Sequence, residues 1–295
     1  LAGWLYNIPI PQNSIGEFAM VEDASRNVPL LTSEIVRRLE AAAAYNTQSR
    51  MEGLQKLENN LYQVEKGEFG NISAWRSANL PYPFFNRVFG LDAAHLSKLP
   101  EVLEWYKSYN YPCRIELASP FSSDEFLQQL AQAGFYQAGF LNTFYGLPLK
   151  EKPRLPMGVE VRRLEPDEMP LFSQVYNEGN EYKGSRLAEV RRMVEMEHSA
   201  PDYQLYLATV DQQPAAVAAL IRHKGIAYLG TMATIPAMRG RGCQAALLQQ
   251  RLFDTADCDL VMTVTQPGTV SDRNVRRAGF QLAYAGVYWL FLHHR

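Results

Sequence analysis

Residues 234–248 read Thr-Ile-Pro-Ala-Met-Arg-Gly-Arg-Gly-Cys-Gln-Ala-Ala-Leu-Leu. They close an apolar run over 226–235, turn at Pro236 and place Gly240 and Gly242 one residue apart. A helix then starts, with Ala245, Leu248 and Leu252 on one apolar stripe widened by Leu247. The first amides of a helix lack intrahelical acceptors and carry the positive end of its dipole, so such a start binds anions. Gly240 and Gly242 let the backbone approach a ligand closely and take φ > 0. Arg239 and Arg241 add positive charge beside them. The chemistry that fits is a pyrophosphate lying across backbone amides. An ordinary tight turn would also satisfy the spacing. A disordered Arg-Gly tail would repeat and carry no apolar helix. A nucleotide P-loop would need Gly-Lys-Ser/Thr, which does not follow.

Thr-x-Pro-x-x-Arg-Gly-Arg-Gly before a helix resembles the acyl-CoA motif of the GNAT superfamily of N-acetyltransferases. That motif is Gln/Arg-x-x-Gly-x-Gly/Ala; Gly240 and Gly242 meet it, while Ala237 departs from it at the first position. The resemblance implies acetyl-CoA as co-substrate, no metal, and direct acetyl transfer to an amine of a small molecule, amino acid or peptide. A non-catalytic acyl-CoA sensor and an acyltransferase using another acyl-CoA are the alternatives.

Carried over residue by residue, the resemblance implies that Met232, Ala233 and Thr234 pair with the pantetheine arm. The amides of Arg239, Gly240, Arg241, Gly242 and Cys243, continuing to Gln244, would hold the pyrophosphate. Asn274 stands where the family has a downstream cofactor contact. The strands on either side of this point splay in the family, which makes the N–H of Met232 or Ala233 a candidate oxyanion donor. The Tyr that many members place four residues before the Gly-Phe pair is absent, since Val275 stands there. Tyr284 and Tyr288 in the last strand are substitutes by sequence proximity only. A thiolate leaving group needs little acid assistance in any case. Glu178, Glu181, His198 and Tyr228 are the general-base candidates. The acidic cluster around Glu178 and Glu181 would suit a cationic amine. Thr265 and Gln266 are expected at the acceptor crevice.

The chain of 295 residues has 47% hydrophobic and 20% charged residues and a net charge of −2. That composition supports a sizeable core and argues against a dedicated nucleic-acid or membrane-surface protein. Cys113, Cys243 and Cys258 show no metal-ligand spacing and lie in apolar runs, as reduced thiols do. No apolar run reaches transmembrane length, and residues 1–19 lack a signal-peptide pattern. A cytoplasmic protein is expected, with homodimerisation left open.

Periodicity predicts helices over 33–57 (broken near 46–48, with 37–40 on the polar side), 99–109 and 123–133. Strands are predicted over 61–64, 71–75, 114–118 and 135–145, with turns at Gly67 and Gly70 and an edge strand and turn over 81–90. The second half reads strand 159–164, helices 165–176 and 186–197, and strands 204–210, 215–222 and 226–235. Helix 242–255, strand 259–265, helix 271–277 and strand 283–292 complete it. This is the GNAT order of elements, of the α+β class with a mixed sheet. Ala133-Gly134-Phe135 echoes Ala278-Gly279-Phe280, each ending a helix and opening a strand. The expected organisation is an extension at 1–19 ahead of a natural start at Met20, a degenerate GNAT-like domain at 20–146, a linker at 147–157, and an acetyl-CoA-binding GNAT domain at 158–295. The first copy has Asn86-Arg87-Val88-Phe89-Gly90 where the anion loop should stand.

Overall fold

The computed structural model describes residues 28–80, 82–107, 113–184 and 187–291. The extension at 1–19 lies outside them, as do positions 81, 108–109, 186 and 292 of the expected elements.

The first half runs α1 (Ser33–Gln55), β1 (Val64–Phe69), β2 (Ile72–Ser77), β3 (Arg87–Phe89), α2 (Leu99–Lys107), β4 (Cys113–Ala118), α3 (Asp124–Gln132) and β5 (Tyr136–Gly146). The second runs β6 (Val159–Arg163), α4 (Met169–Gly179), α5 (Leu187–Glu197), β7 (Tyr203–Val210), β8 (Gln213–His223), β9 (Ile226–Tyr228), β10 (Met232–Thr234), α6 (Cys243–Asp254), β11 (Leu260–Thr265), α7 (Val270–Arg277) and β12 (Gln281–Phe291).

α1 is one continuous helix capped by Thr32, whose hydroxyl accepts from the Ile35 N–H, so the break expected near 46–48 does not occur. The polar residues there are buried because other elements satisfy them. Thr47 accepts from Arg87 at 2.9 Å and Asn46 accepts from the Tyr203 hydroxyl at 2.8 Å. The first hairpin turns at Gly70, whose φ is +71°, while Gly67 lies inside β1. β3 is an interior strand between β2 and β4 rather than an edge. Its approach is pinned by fully buried Asn86, which accepts from the Ser77 amide and donates to the Leu80 and Tyr82 carbonyls.

All twelve strands of the described residues join one mixed sheet, in the order β1-β2-β3-β4-β12-β5-β11-β9-β8-β7-β6, with β10 also on β8. Each half contains a parallel pair, β3 with β4 and β9 with β11. The last strand of each half then crosses over: β12 lies between β4 and β5, and β5 lies between β12 and β11. The repeated Ala-Gly-Phe segments lead into these two strands. Gly134 and Gly279 take φ of +93° and +85°, and Phe135 and Phe280 are buried behind them. The segment between the halves is held to the second: the Leu149 amide donates to the Leu252 carbonyl at 2.9 Å, and Leu149 and Leu155 pack on that half's core.

α6 covers one face of the second half's strands and α4 and α5 the other. α1 lies across the middle, packing on residues of β4, β5, β9, β11 and β12. Among the described residues, no helix is long and apolar enough to cross a membrane.

Candidate functional site

The run expected as one strand over 226–235 is broken. β9 ends at Tyr228 and β10 begins at Met232, with Thr231 between them at φ +23°. β9 pairs in parallel with β11 as far as Tyr228 opposite Met262, and the Leu229 amide makes a last bond to the Met262 carbonyl. β10 stays on β8, so the two strands fork. Thr231 accepts from Ala219 and Ile235 donates to Ala215, both on β8. By the two-residue alternation Ala233 also faces β8, while the backbone groups of Met232 and Thr234 face the fork. Of the two oxyanion-donor candidates, Met232 therefore has the amide that faces the fork.

The fork is held open by side chains. Thr263 donates to the Leu229 carbonyl at 2.8 Å. Fully buried Arg251 reaches from α6 to the carbonyls of Gly230 at 3.1 Å and Ala219 at 2.9 Å. Burial pushes its guanidinium down to about 10. His198 donates from Nδ1 to the Val194 carbonyl at 2.8 Å, so Nε2 accepts from the Thr231 hydroxyl at 2.9 Å. Burial, reinforced by the Arg50 charge, pushes this imidazole down to about 3. It is committed to the bulge as a neutral ring. In the sequence Arg251 stands out only as a charged residue four places after Leu247, where it interrupts the apolar stripe of the helix.

Beyond β10 the chain turns through Pro236–Met238, and Gly240 and Gly242 adopt φ of +80° and +84°. Gly242 is the N-cap of α6 and offers no side-chain cap. The Arg239 amide, expected at the pyrophosphate, instead donates to the Pro236 carbonyl at 3.2 Å, whereas among the described residues none of the amides from Gly240 to Ala245 donates to a backbone carbonyl. Arg239 donates to the Gly179 carbonyl at 3.0 Å and pairs with Glu181 at 3.4 Å, while Arg241 pairs with Asp211 at 3.1 Å. Both arginines are exposed. These free amides and nearby cations fit a pyrophosphate group. Cys243 is buried, which raises its thiol. Gln244 accepts from Asn274 at 2.6 Å and donates to Ser271 at 3.3 Å, so the starts of α6 and α7 are tied together.

The other predicted residues spread over several places. Glu178 and Gln266 are exposed, and Glu181 sits at φ +58° beside Arg239. Thr265 is buried and donates to Asp272, which also accepts from Asn142 of β5 at 2.7 Å. Tyr228 lies under α1 with its ring against Gly230, and burial raises its phenol. Tyr284 is buried and donates to Glu40, a residue the helical pattern assigned to the polar side of α1. Tyr288 stacks under Arg114, whose guanidinium lies 4.1 Å from the ring centre.

No protein-family model and no curated protein matches this chain. Solved structures do. The mixed sheet with helices on both faces is similar in fold to GCN5-related N-acetyltransferases, a tandem protein of that kind included. A GCN5-related N-acetyltransferase from Kribbella flavida matches with a TM-score of 0.60 at 16% identity, over 85% of this chain and 96% of that one. A tandem GNAT protein from the clavulanic acid biosynthesis pathway matches with a TM-score of 0.59 at 14% identity, over 84% and 88%. A GCN5-related N-acetyltransferase from Sphaerobacter thermophilus matches with a TM-score of 0.54 at 15% identity, over 88% and 91%.

Proposed function

We propose that the protein is an N-acyltransferase that moves an acetyl group from acetyl-CoA directly to the amine of a small molecule, amino acid or peptide. The observation that carries this reading is the fork between β10 and β11 opening beside the uncapped start of α6. Acyl transfer needs the donor held, the carbonyl polarised and the amine neutral. The amides from Gly240 to Gln244 and the arginines beside them would hold the pyrophosphate. Met232 and Thr234 would pair with the pantetheine arm as an added strand does. The Met232 N–H would donate to the thioester carbonyl.

The second half, 158–295, is read as the donor-binding domain, and the first, 20–146, as a copy of the fold that binds no acyl-CoA. In the first half, after β3, the Asp92 side chain accepts from the amides of Ala94 and His95, so its own carboxylate occupies that helical start. A cytoplasmic setting belongs to the same reading.

The test is thiol release from acetyl-CoA over a panel of amines, amino acids and peptides, beside calorimetric CoA binding. Stoichiometric binding at one site per chain and release with at least one amine are expected. Binding without release across the panel would favour a sensor.

A further inference from the structure

Under α1, where the halves meet, Glu40, Ala43, Glu116, Thr143, Val264 and Tyr284 help to line a cavity of about 30 Å³. That volume has room for a small polar group such as water or –NH3+. Val264 and Tyr284 both stand opposite Thr143 on β5, so the three form one row across β11, β5 and β12. Val264 is two residues past the last pairing of β11 with β9, which makes one wall of the cavity part of the fork itself.

The charges here are unevenly matched. Both oxygens of Glu116 are taken, Oε2 by Arg87 at 2.5 Å and Oε1 by Arg114 at 2.6 Å. Burial alone would raise Glu116, but the two arginines outweigh it and hold the carboxyl below its ordinary value. Glu40 receives the Tyr284 hydroxyl and makes no ion pair among the described residues. The facing groups are Tyr284 on β12, Glu116 and Arg114 on β4, Arg87 on β3 and Tyr228 on β9. Burial, with Glu116 adding to it, pushes Glu40 up to about 7. A carboxyl with no cation partner among the described residues, beside a cavity with room for an ammonium group, is what a protonated amine would complete.

We propose that this cavity takes the ammonium group of the acceptor and that Glu40 accepts its proton, so the first half supplies the acceptor side of the second half's site. The proposal rests on the acyl-transfer reading. One N–H proton passes to Glu40, and the nitrogen lone pair forms the C–N bond to the acyl carbon. The C–S bond breaks with its electron pair on sulfur. The second N–H proton ends on that sulfur, and Glu40 returns its own proton to solvent. Tyr284 positions the carboxyl.

The experiment uses the full chain labelled with 13C in the glutamate carboxyls, with the Glu40 signal assigned by its loss in Glu40→Gln. Its titration is followed with ethylammonium chloride and, at equal ionic strength, with tetramethylammonium chloride, which is too large and has no proton to give. The midpoint near 7 should fall by about one unit with ethylammonium alone. No shift, or an equal shift with both salts, overturns the cation site. In thiol release, Glu40→Gln should lower kcat/KM about 100-fold at neutral pH and remove the acid limb of the pH profile, with CoA affinity unchanged. Retention of that limb overturns the proton-acceptor role, and Tyr284→Phe should move its midpoint without abolishing it. Failure of the acyl-transfer reading alone would show as a Glu40-dependent ethylammonium shift without thiol release. Failure of the proposal alone would show as thiol release without that shift.

Discussion

The guanidinium of Arg251 donates to the carbonyl of Gly230 at 3.1 Å, joining the third turn of α6 to the bulge where β9 gives way to β10. One side chain thereby links the helix that would hold the pyrophosphate to the fork that would hold the acyl group. Replacing it with Met removes a desolvated charge, a relief, and strips the donor from the Gly230 and Ala219 carbonyls, a cost. These oppose each other, so Arg251→Met should change stability by less than about 2 kcal/mol. The geometry of the fork has no such compensation, and CoA affinity should drop about tenfold or more, or about 1.4 kcal/mol. Arg251→Lys, which cannot span both carbonyls, should fall between. Calorimetry showing unchanged CoA affinity in Arg251→Met would remove this role.

Gly242 holds φ at +84° as the N-cap of α6, a conformation that strains a β-branched residue by about 1–2 kcal/mol. Gly242→Val should stay folded and lose CoA binding. Gly70→Ala is the matched comparison, since φ there is +71° with nothing within 4 Å of an added Cβ. It should show similar strain in a denaturation curve and normal CoA affinity. Equal CoA affinity in both variants would defeat the pyrophosphate assignment.

Asn86 is fully buried with three backbone partners. Truncation to Ala leaves those groups unpaired and should cost about 2–3 kcal/mol in urea unfolding, without touching CoA affinity. A loss of CoA affinity would place the first half in the donor site.

His198 sits near 3 in the folded protein against an ordinary 6.5. Its ring resonances should therefore not titrate between pH 5 and 8. The unfolded chain takes up the proton that the folded ring refuses, so stability should decline as pH falls below 6.5, and less steeply in His198→Gln. A His198 titration near neutrality would reinstate it as a base.

Glu40 has the opposite linkage. Its folded value of about 7 lies above the ordinary 4.5, so the folded state holds an extra proton between these limits. Stability should decline as pH rises from 4.5 to 7, by roughly 1–3 kcal/mol relative to Glu40→Gln. Parallel stability curves for the two proteins would contradict the burial of this carboxyl.

Local chemistry made much of this legible. The two glycines and the helix stripe after them located the start of α6 to within a residue, because φ > 0 and helical periodicity are properties of short stretches. The order of elements in the second half followed from the same periodicities. The break at Leu229–Thr231 did not: all of residues 226–235 suit a strand, and the bulge exists because Arg251, Thr263 and His198 satisfy the groups it exposes. Asn46 and Thr47 looked like a helix break for the converse reason, as their partners, Tyr203 and Arg87, are far away in sequence.

Sequence by itself determined most of the elements, the two-glycine turn ahead of α6 and the echo between the halves, all of which rest on interactions within a few residues. Tertiary structure alone decided that β5 and β12 exchange places, that Met232 rather than Ala233 turns its amide to the fork, and that Glu40 meets Tyr284 across the seam. Strand order and the pairing of buried polar groups depend on contacts between distant segments. A period-two or period-3.6 pattern says which face is apolar and leaves open what that face will meet.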